Sequence, residues 1–319
     1  MAYWIRCAKT CLMAAAAAFL FAGCAGRPLV EREIVRAIFF AKEGGSSHAV
    51  LLLQDQQSED SSDYNVASGK GDTPAQALAD AEAGLDGVMF YGLTDLVALP
   101  FHCSWEELQG FAALLYETAQ PSPEITLFLL DDRTVSRLQE TAGQLYDEMQ
   151  AAEKKYQLCC GLESVLCQGE EAELPCWQGD DYGFAVLCRG QQTIRYVEPV
   201  RAQLAAVLSG QSRQLEFVFA DDSISCRTSA SVLVQAQSSQ TCVFLRLEDT
   251  SLTALTDQVP RGEEQLRQLL AEELQNAFSQ MCTDLKAMGA DPFRLSFWQT
   301  CLQGKPDDGL PAVLSVEFA

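Results

Sequence analysis

Between residues 31 and 150, short apolar runs alternate with amphipathic helical stretches, and this order most narrows what the chain can fold into. Ile34–Ala41 and Ala49–Gln54 are apolar runs separated by Gly44, Gly45, Ser46 and Ser47, which predicts a hairpin. A polar stretch, SEDSSDYNVASGKGD, reads as a loop. Thr73 then predicts a helix start, with Thr73 as cap, Pro74 at the first helical position and Gln76 closing a capping box. Val88–Tyr91 is a short strand, and Leu96–Leu99 continues after a break and stops at Pro100. Ser104 and Glu107 form a second capping box, behind which Leu108, Phe111, Ala112 and Leu115 recur at helical spacing. Ile125–Leu130 is a central-strand candidate, and a longer helix begins near Asp132 with Val135, Leu138, Ala142, Leu145 and Met149 on one face. The order β-β-α-β-α-β-α predicts one α/β or α+β domain ending near residue 150.

The N-terminus sets the compartment. Arg6 and Lys9 precede an apolar run from Cys11 to Ala22, and no acidic residue appears before Glu31. A basic head, a short apolar stretch and small residues before Cys24 make an export signal. Phe21-Ala22-Gly23-Cys24 resembles the bacterial lipobox, in which cleavage precedes the cysteine and lipid is attached to it, with Phe where Leu is more usual. The apolar run falls short of the roughly 20 residues that cross a bilayer comfortably. Several acyl chains on Cys24, each contributing about 0.8 kcal/mol per buried CH₂, would replace the helix as anchor. A secreted protein cut near the same place, with Cys24 an ordinary thiol, and a retained membrane anchor are the alternatives. Loss of Arg6 and Lys9 takes the net charge from -22 to -24. So acidic a body is poorly suited to nucleic acid or to anionic lipid heads, so it would need a tether to stay at a membrane.

Beyond residue 150 the pattern changes. Cys159–Asp181 is acidic, cysteine-rich and weakly periodic, and reads as short helix or loop. Tyr182–Cys188 and Thr193–Val197 are strands, and Pro199 opens a helix that Gly210 ends in a left-handed turn. Leu215–Ala220, Ile224–Ala236 and Cys242–Leu247 are strands with turns at Asp221-Asp222 and Ser238-Ser239. A long helix carries Leu266, Leu269, Leu270, Leu274, Ala277, Phe278, Met281 and Leu285 up to Gly289, and Val313–Phe318 is the closing strand. The fold class is therefore α+β and multidomain, with mixed or antiparallel sheets packed against helices behind a lipoprotein signal peptide. The expected divisions are a signal peptide at 1–23, an N-terminal α/β domain at 24–150, a middle domain at 151–213 and a C-terminal α+β domain at 214–319.

Reactive chemistry is sparse. The two histidines, His48 and His102, sit beside a turn and at a helix entrance. His102 with Cys103 is the one local pair inviting a nucleophile, yet no orienting third residue accompanies it. Cys159, Cys160, Cys167 and Cys176 lack the paired spacing of a zinc site, and can be free thiols or a disulfide of undetermined pairing. Ser68-Gly69-Lys70-Gly71-Asp72-Thr73 lacks the order of a phosphate-binding loop, and Asp131-Asp132 and Asp221-Asp222 fall where turns are required. The chain reads as no enzyme, without metal or cofactor. A small-ligand lipoprotein would instead show a deep pocket between domains, lined by groups such as Tyr91 or Trp177. A secreted hydrolase would need His102 or an acidic pair converging in a cleft.

After the lipobox, EREIVRAIFFAKE with Arg32-Glu33-Ile34 resembles the opening of the Ger(x)C family, the C subunits of spore germinant receptors. Ala25 and Gly26 replace that family's usual Trp and Asp. Ser68–Thr73 with Ala77-Leu78 resembles its glycine-threonine approach to the first helix, and Phe90-Tyr91-Gly92 its aromatic-glycine strand, with Leu93 at the common histidine position. Gly183–Gly210 is similar to its G-x-A-V-F strand, charged turn, acidic helix entry and closing glycine, with Arg195 at a usual glycine position. The long last helix with Gly289, Ala290, Asp291 and Pro292, then Trp298 and a final strand, also fits. The resemblance implies a three-domain, non-enzymatic lipoprotein. It would be anchored through acyl lipid such as palmitate on Cys24 at the outer face of the spore's inner membrane, beside integral membrane A and B subunits, in nutrient-triggered germination.

Overall fold

The computed structural model describes residues 32–55, 64–120, 122, 124–131, 134, 137–167, 171–178, 181–188, 193–237, 240–256, 262–304 and 312–319. It is an α+β structure of two sheets packed against helices. Residues 1–31, and with them Cys24, lie outside the described residues.

The first sheet is mixed and has nine strands. β1 (Arg32–Glu43) and β2 (Ser46–Gln54) form the expected hairpin, and β3 (Tyr64–Gly71) pairs on its outer side. α1 (Pro74–Ala83) follows, then β4 (Val88–Phe90), which pairs with the start of β1, and β5 (Leu96–Pro100), parallel to the middle of β1. α2 (Trp105–Leu114) ends in a π-helical turn, Leu115–Ala119, and β6 (Thr126–Leu130) lies parallel to β5. α3 (Leu138–Tyr156) and the short α4 (Leu162–Cys167) lead to β7 (Glu171–Gln178), β8 (Asp181–Cys188) and β9 (Ile194–Tyr196), which extend the sheet beyond β6. β6 meets β7 through two residue pairs, Leu129 with Cys176 and Leu130 with Trp177. Nearer its start, β6 is met by the Cys160–Gly161 segment.

The period-two pattern explains why this sheet is covered on both sides. Ile38, Phe40, Val97, Leu99, Leu127 and Leu129 face α1 and α2, while Ala37, Phe39, Leu96, Ala98, Phe128 and Leu130 face α3 through Leu138, Ala142, Leu145 and Met149. Burying both faces turns β1, β5 and β6 into continuous apolar runs.

α5 (Pro199–Leu208) joins the two halves and stops as expected, with Gly210 at φ +77°. The second sheet runs β10 (Gln214–Phe219), β11 (Ile224–Gln237), β12 (Gln240–Ala254) and β13 (Ala312–Phe318), antiparallel except for the parallel β12–β13 pair. The crossover to β13 carries α6 (Glu263–Met288), closed by Gly289 at φ +67°, and α7 (Leu295–Gln303). Leu270, Leu274, Phe278 and Leu285 of α6 share one continuous core with Leu215, Val243 and Leu245 and with the α1–α2 side of the first sheet.

Three elements differ from expectation, the first being α7, a helix that the sequence pattern between Gly289 and the closing strand does not announce. The stretch read as a polar loop contains β3, and the segment read as short helix or loop contains β7 as well as α4. Among the described residues, no helix is long and apolar enough to cross a membrane.

Candidate functional site

A groove of about 640 Å³ with an aromatic lining lies where the two sheets meet. Five parts of the chain build it: the last turns of α3, the end of β7, the start of β8, the entrance to α5, and β10 with its following turn. Trp177 and Phe217 are buried in its wall, and the Tyr156 and Tyr182 rings stack with centroids 4.7 Å apart. The indole N–H of Trp177 and the hydroxyl of Tyr182 are buried without a hydrogen-bond partner.

Glu216 ties this region together. Its carboxylate accepts from Lys155 Nζ at 2.9 Å and Arg227 Nε at 3.0 Å, so α3, β10 and β11 are joined through one side chain. Burial raises the Glu216 carboxyl, but the bonds from Arg227 and Lys155 outweigh burial and leave it below the ordinary range. Its backbone is held as well: Gln203 Nε2 donates to the Glu216 carbonyl and the Glu216 N–H to Gln203 Oε1, both at 2.5 Å, which docks α5 on β10. Lys155 Nζ also stands 5.2 Å from the Tyr156 ring centroid. At the mouth, Ala220, Asp221 and Asp222 all have φ between 50° and 60°, a left-handed run that turns β10 into β11.

The residues singled out in the sequence are dispersed. His102 is exposed, whereas Cys103 is 1% exposed with its thiol 3.4 Å from the Ser104 carbonyl oxygen. Burial, helped by Glu107, pushes the Cys103 thiol up to about 12, so it stays protonated, and the adjacent pair does not form a nucleophile and base. Arg195 is within 3.1 Å of His102 Nδ1, donates to the Phe101 carbonyl at 3.1 Å and lies 4.1 Å over the Phe101 ring. His48 is half-buried and 3.4 Å from Glu43. Asp131 is buried and accepts from Thr134 N at 2.9 Å, a turn-forming role. Asp132 lies outside the described residues. Tyr91 is buried against Glu82 and away from the groove, while Trp177 lines it.

Ser68–Thr73 is a packing motif. A Cβ on Gly69 would lie 2.1 Å from Ala81 N and 2.4 Å from the Ala77 carbonyl oxygen, and one on Gly71 would lie 2.7 Å from Ala77 N. The glycines therefore let α1 sit directly on β3. Thr73 caps α1 by accepting from Gln76 N, while the Gln76 side chain takes the N–H of Asp72, one residue before the expected box partner. The Ser104–Glu107 box is complete in both directions. Among the described residues, nine cysteines are free thiols, Cys159, Cys160, Cys167 and Cys176 among them.

Sequence reading did not single out Lys155, Tyr156, Tyr182, Gln203 or Glu216 as site residues, and no local signal marks them because five separate parts of the chain supply the groove. A second polar cluster missed in the same way lies on the α3 side. Arg36 pairs with Asp95 at 2.6 Å, and Tyr146 donates to the same carboxylate oxygen at 3.0 Å. Burial holds Asp95 above its ordinary value despite Arg36 and Tyr146. Among the described residues, no group of three or more His, Cys, Asp or Glu side chains is placed to hold a metal ion.

No family model and no curated protein matches the chain. Among solved structures there is a weak but full-length likeness to a chain described as "Crystal Structure of the GerBC protein". Its TM-score is 0.43 at 8% sequence identity, over 88% of this chain and 95% of that one. No residue role is carried across at that distance.

Proposed function

We propose that this chain is the lipid-anchored C subunit of a nutrient germinant receptor, acting without catalysis as a scaffold or coupling subunit in spore germination. One observation carries the reading: a lipobox at Phe21–Cys24 is followed by segments resembling the Ger(x)C family, in order, to the end of the chain. Residues 1–23 are the signal peptide. Lipid on Cys24 holds the body at the outer face of the membrane, beside integral A and B subunits. Confinement to two dimensions raises effective concentration, so modest protein faces suffice for assembly. The net charge of -24 left after loss of Arg6 and Lys9 supports a tether, since this surface would be repelled by anionic lipid heads. The buried, protonated Cys103 thiol supports a non-catalytic role.

The test measures release of dipicolinic acid from spores on nutrient addition in three strains: intact, lacking this gene, and restored with Cys24→Ala. The reading expects loss of release for a subset of nutrients that the Cys24→Ala chain does not repair. Full repair by Cys24→Ala would sink the tethering part, and unchanged release for every nutrient without the gene would sink the receptor assignment.

A further inference from the structure

We infer that the groove between α3, β7–β8, α5 and β10 binds an organic cation, a protonated amine carried on a flat apolar body. Its volume of about 640 Å³ suits a small organic molecule. The wall supplies four aromatic side chains, Tyr156, Trp177, Tyr182 and Phe217, and aromatic faces attract cations through their quadrupole. The charges of the lining sort by sign. Lys155 and Glu216 neutralise each other, and Glu216 is further occupied by Arg227. Glu148 and Asp222 also line the groove, and no Lys or Arg among the described residues pairs with either; Glu148 accepts only the Gln144 amide, at 2.7 Å. Two carboxylates without a Lys or Arg partner therefore share the groove lining with the four aromatic side chains.

The protein already contains this arrangement once, because Lys155 rests over Tyr156 while bound to a carboxylate. A ligand ammonium would repeat it with Glu148 or Asp222. Anionic ligands are disfavoured by the charge of the whole chain. This inference stands independently of the tether and of the receptor assignment.

The test is calorimetric titration of the full chain with 2-phenylethylamine, its neutral isostere 2-phenylethanol, and phenylacetate. The amine is expected to bind at least about tenfold more tightly than the alcohol and phenylacetate not at all, with the preference weakening as salt is raised. Glu148→Gln and Asp222→Asn should each weaken amine binding several-fold and leave alcohol binding unchanged. Asparagine tolerates the left-handed backbone at position 222, so the turn is kept. The remote, exposed Glu106→Gln should have no effect. Equal binding of amine and alcohol, amine binding unaffected by both groove variants or weakened equally by Glu106→Gln, or no amine binding at millimolar concentration would each overturn the inference.

Discussion

Adding one methyl group at Gly69 should destabilise the fold, whereas the same addition at Gly110 should stabilise it. Gly69 lies in β3 and its backbone conformation is open to any residue, so the cost is set by space alone. Its Cβ would meet Ala81 N at 2.1 Å, Ala77 O at 2.4 Å and Asp80 C at 2.7 Å, all of them backbone atoms of α1 that no side-chain rotation can move. Restoring even 3.0 Å to the first of these requires α1 to retreat by about 0.9 Å. That helix buries Ala77, Leu78 and Ala81. Their burial stabilises by about 3–4 kcal/mol, and a gap of that size forfeits a quarter to a half of the packing. Stretching the bond from Lys70 N to the Asp80 carboxylate, now 2.9 Å, costs about 1 kcal/mol more. The stiffer unfolded chain returns about 0.4–1 kcal/mol. The net loss is about 1–3 kcal/mol, the usual range for overpacking. At Gly110 in α2 a Cβ would meet nothing within 4 Å, and the replacement should gain about 0.5–1 kcal/mol from helix propensity. Urea unfolding followed by far-ultraviolet circular dichroism separates the two, since the midpoint should fall for Gly69→Ala and rise for Gly110→Ala at constant slope. A Gly69→Ala midpoint equal to or above wild type would refute the packing account of the glycine pair.

Native-state alkylation at pH 8 read by peptide mass spectrometry should modify Cys159, Cys167 and Cys301 first, and Cys103, Cys160, Cys176, Cys226 and Cys282 only after unfolding. Rapid labelling of Cys103 would contradict its burial. Ser104→Ala should cost about 1 kcal/mol through loss of the α2 cap, and Ser104→Asp should restore most of it in the same unfolding assay. Because the folded Glu216 carboxyl lies below its unfolded value, its stabilisation is present above about pH 4.5 and is lost as pH falls through the folded value. Glu216→Gln should therefore flatten the acid limb of a stability–pH profile by about 1 kcal/mol at most, and an unchanged limb would remove Glu216 from the account. Hydrogen exchange should open the β6–β7 pairing, with two residue pairs, before the β1–β2 hairpin, with eight, and the reverse order would exclude a weak seam.

Much of this architecture was legible because local signals and tertiary needs agreed. Thr73-Pro74 and the Ser104–Glu107 box begin helices where expected, Gly210 and Gly289 end them, and the unbroken apolar runs at Phe39 and Phe128 announce strands buried on two faces. β3 escaped because it is an outer strand whose Asn65, Val66, Ser68 and Lys70 are exposed, so it carries no apolar alternation, and Gly69 is buried only because α1 presses on it. β7 escaped because Pro175 argues against a strand interior; it lies just before the two pairs with β6 begin, where the missing N–H is tolerated. The groove was illegible apart from Trp177. Tyr156 and Tyr182 meet only because α3 and β8 pack together, and Lys155 meets Glu216 across 61 positions of sequence.

The two-rung join between β6 and β7 gives the first sheet the mechanics of two boards fastened along a short edge. A tilt of the β7–β9 board relative to the β1–β6 board is resisted by Leu129–Cys176 and Leu130–Trp177 on one side, and by the Tyr156–Tyr182 stack of α3 on β8 on the other. Trp177 belongs to both the seam and the groove wall. Any body wedged into the groove therefore acts as a lever at the point where the sheet is thinnest, and a push on the β8–β9 edge would in turn reshape the groove.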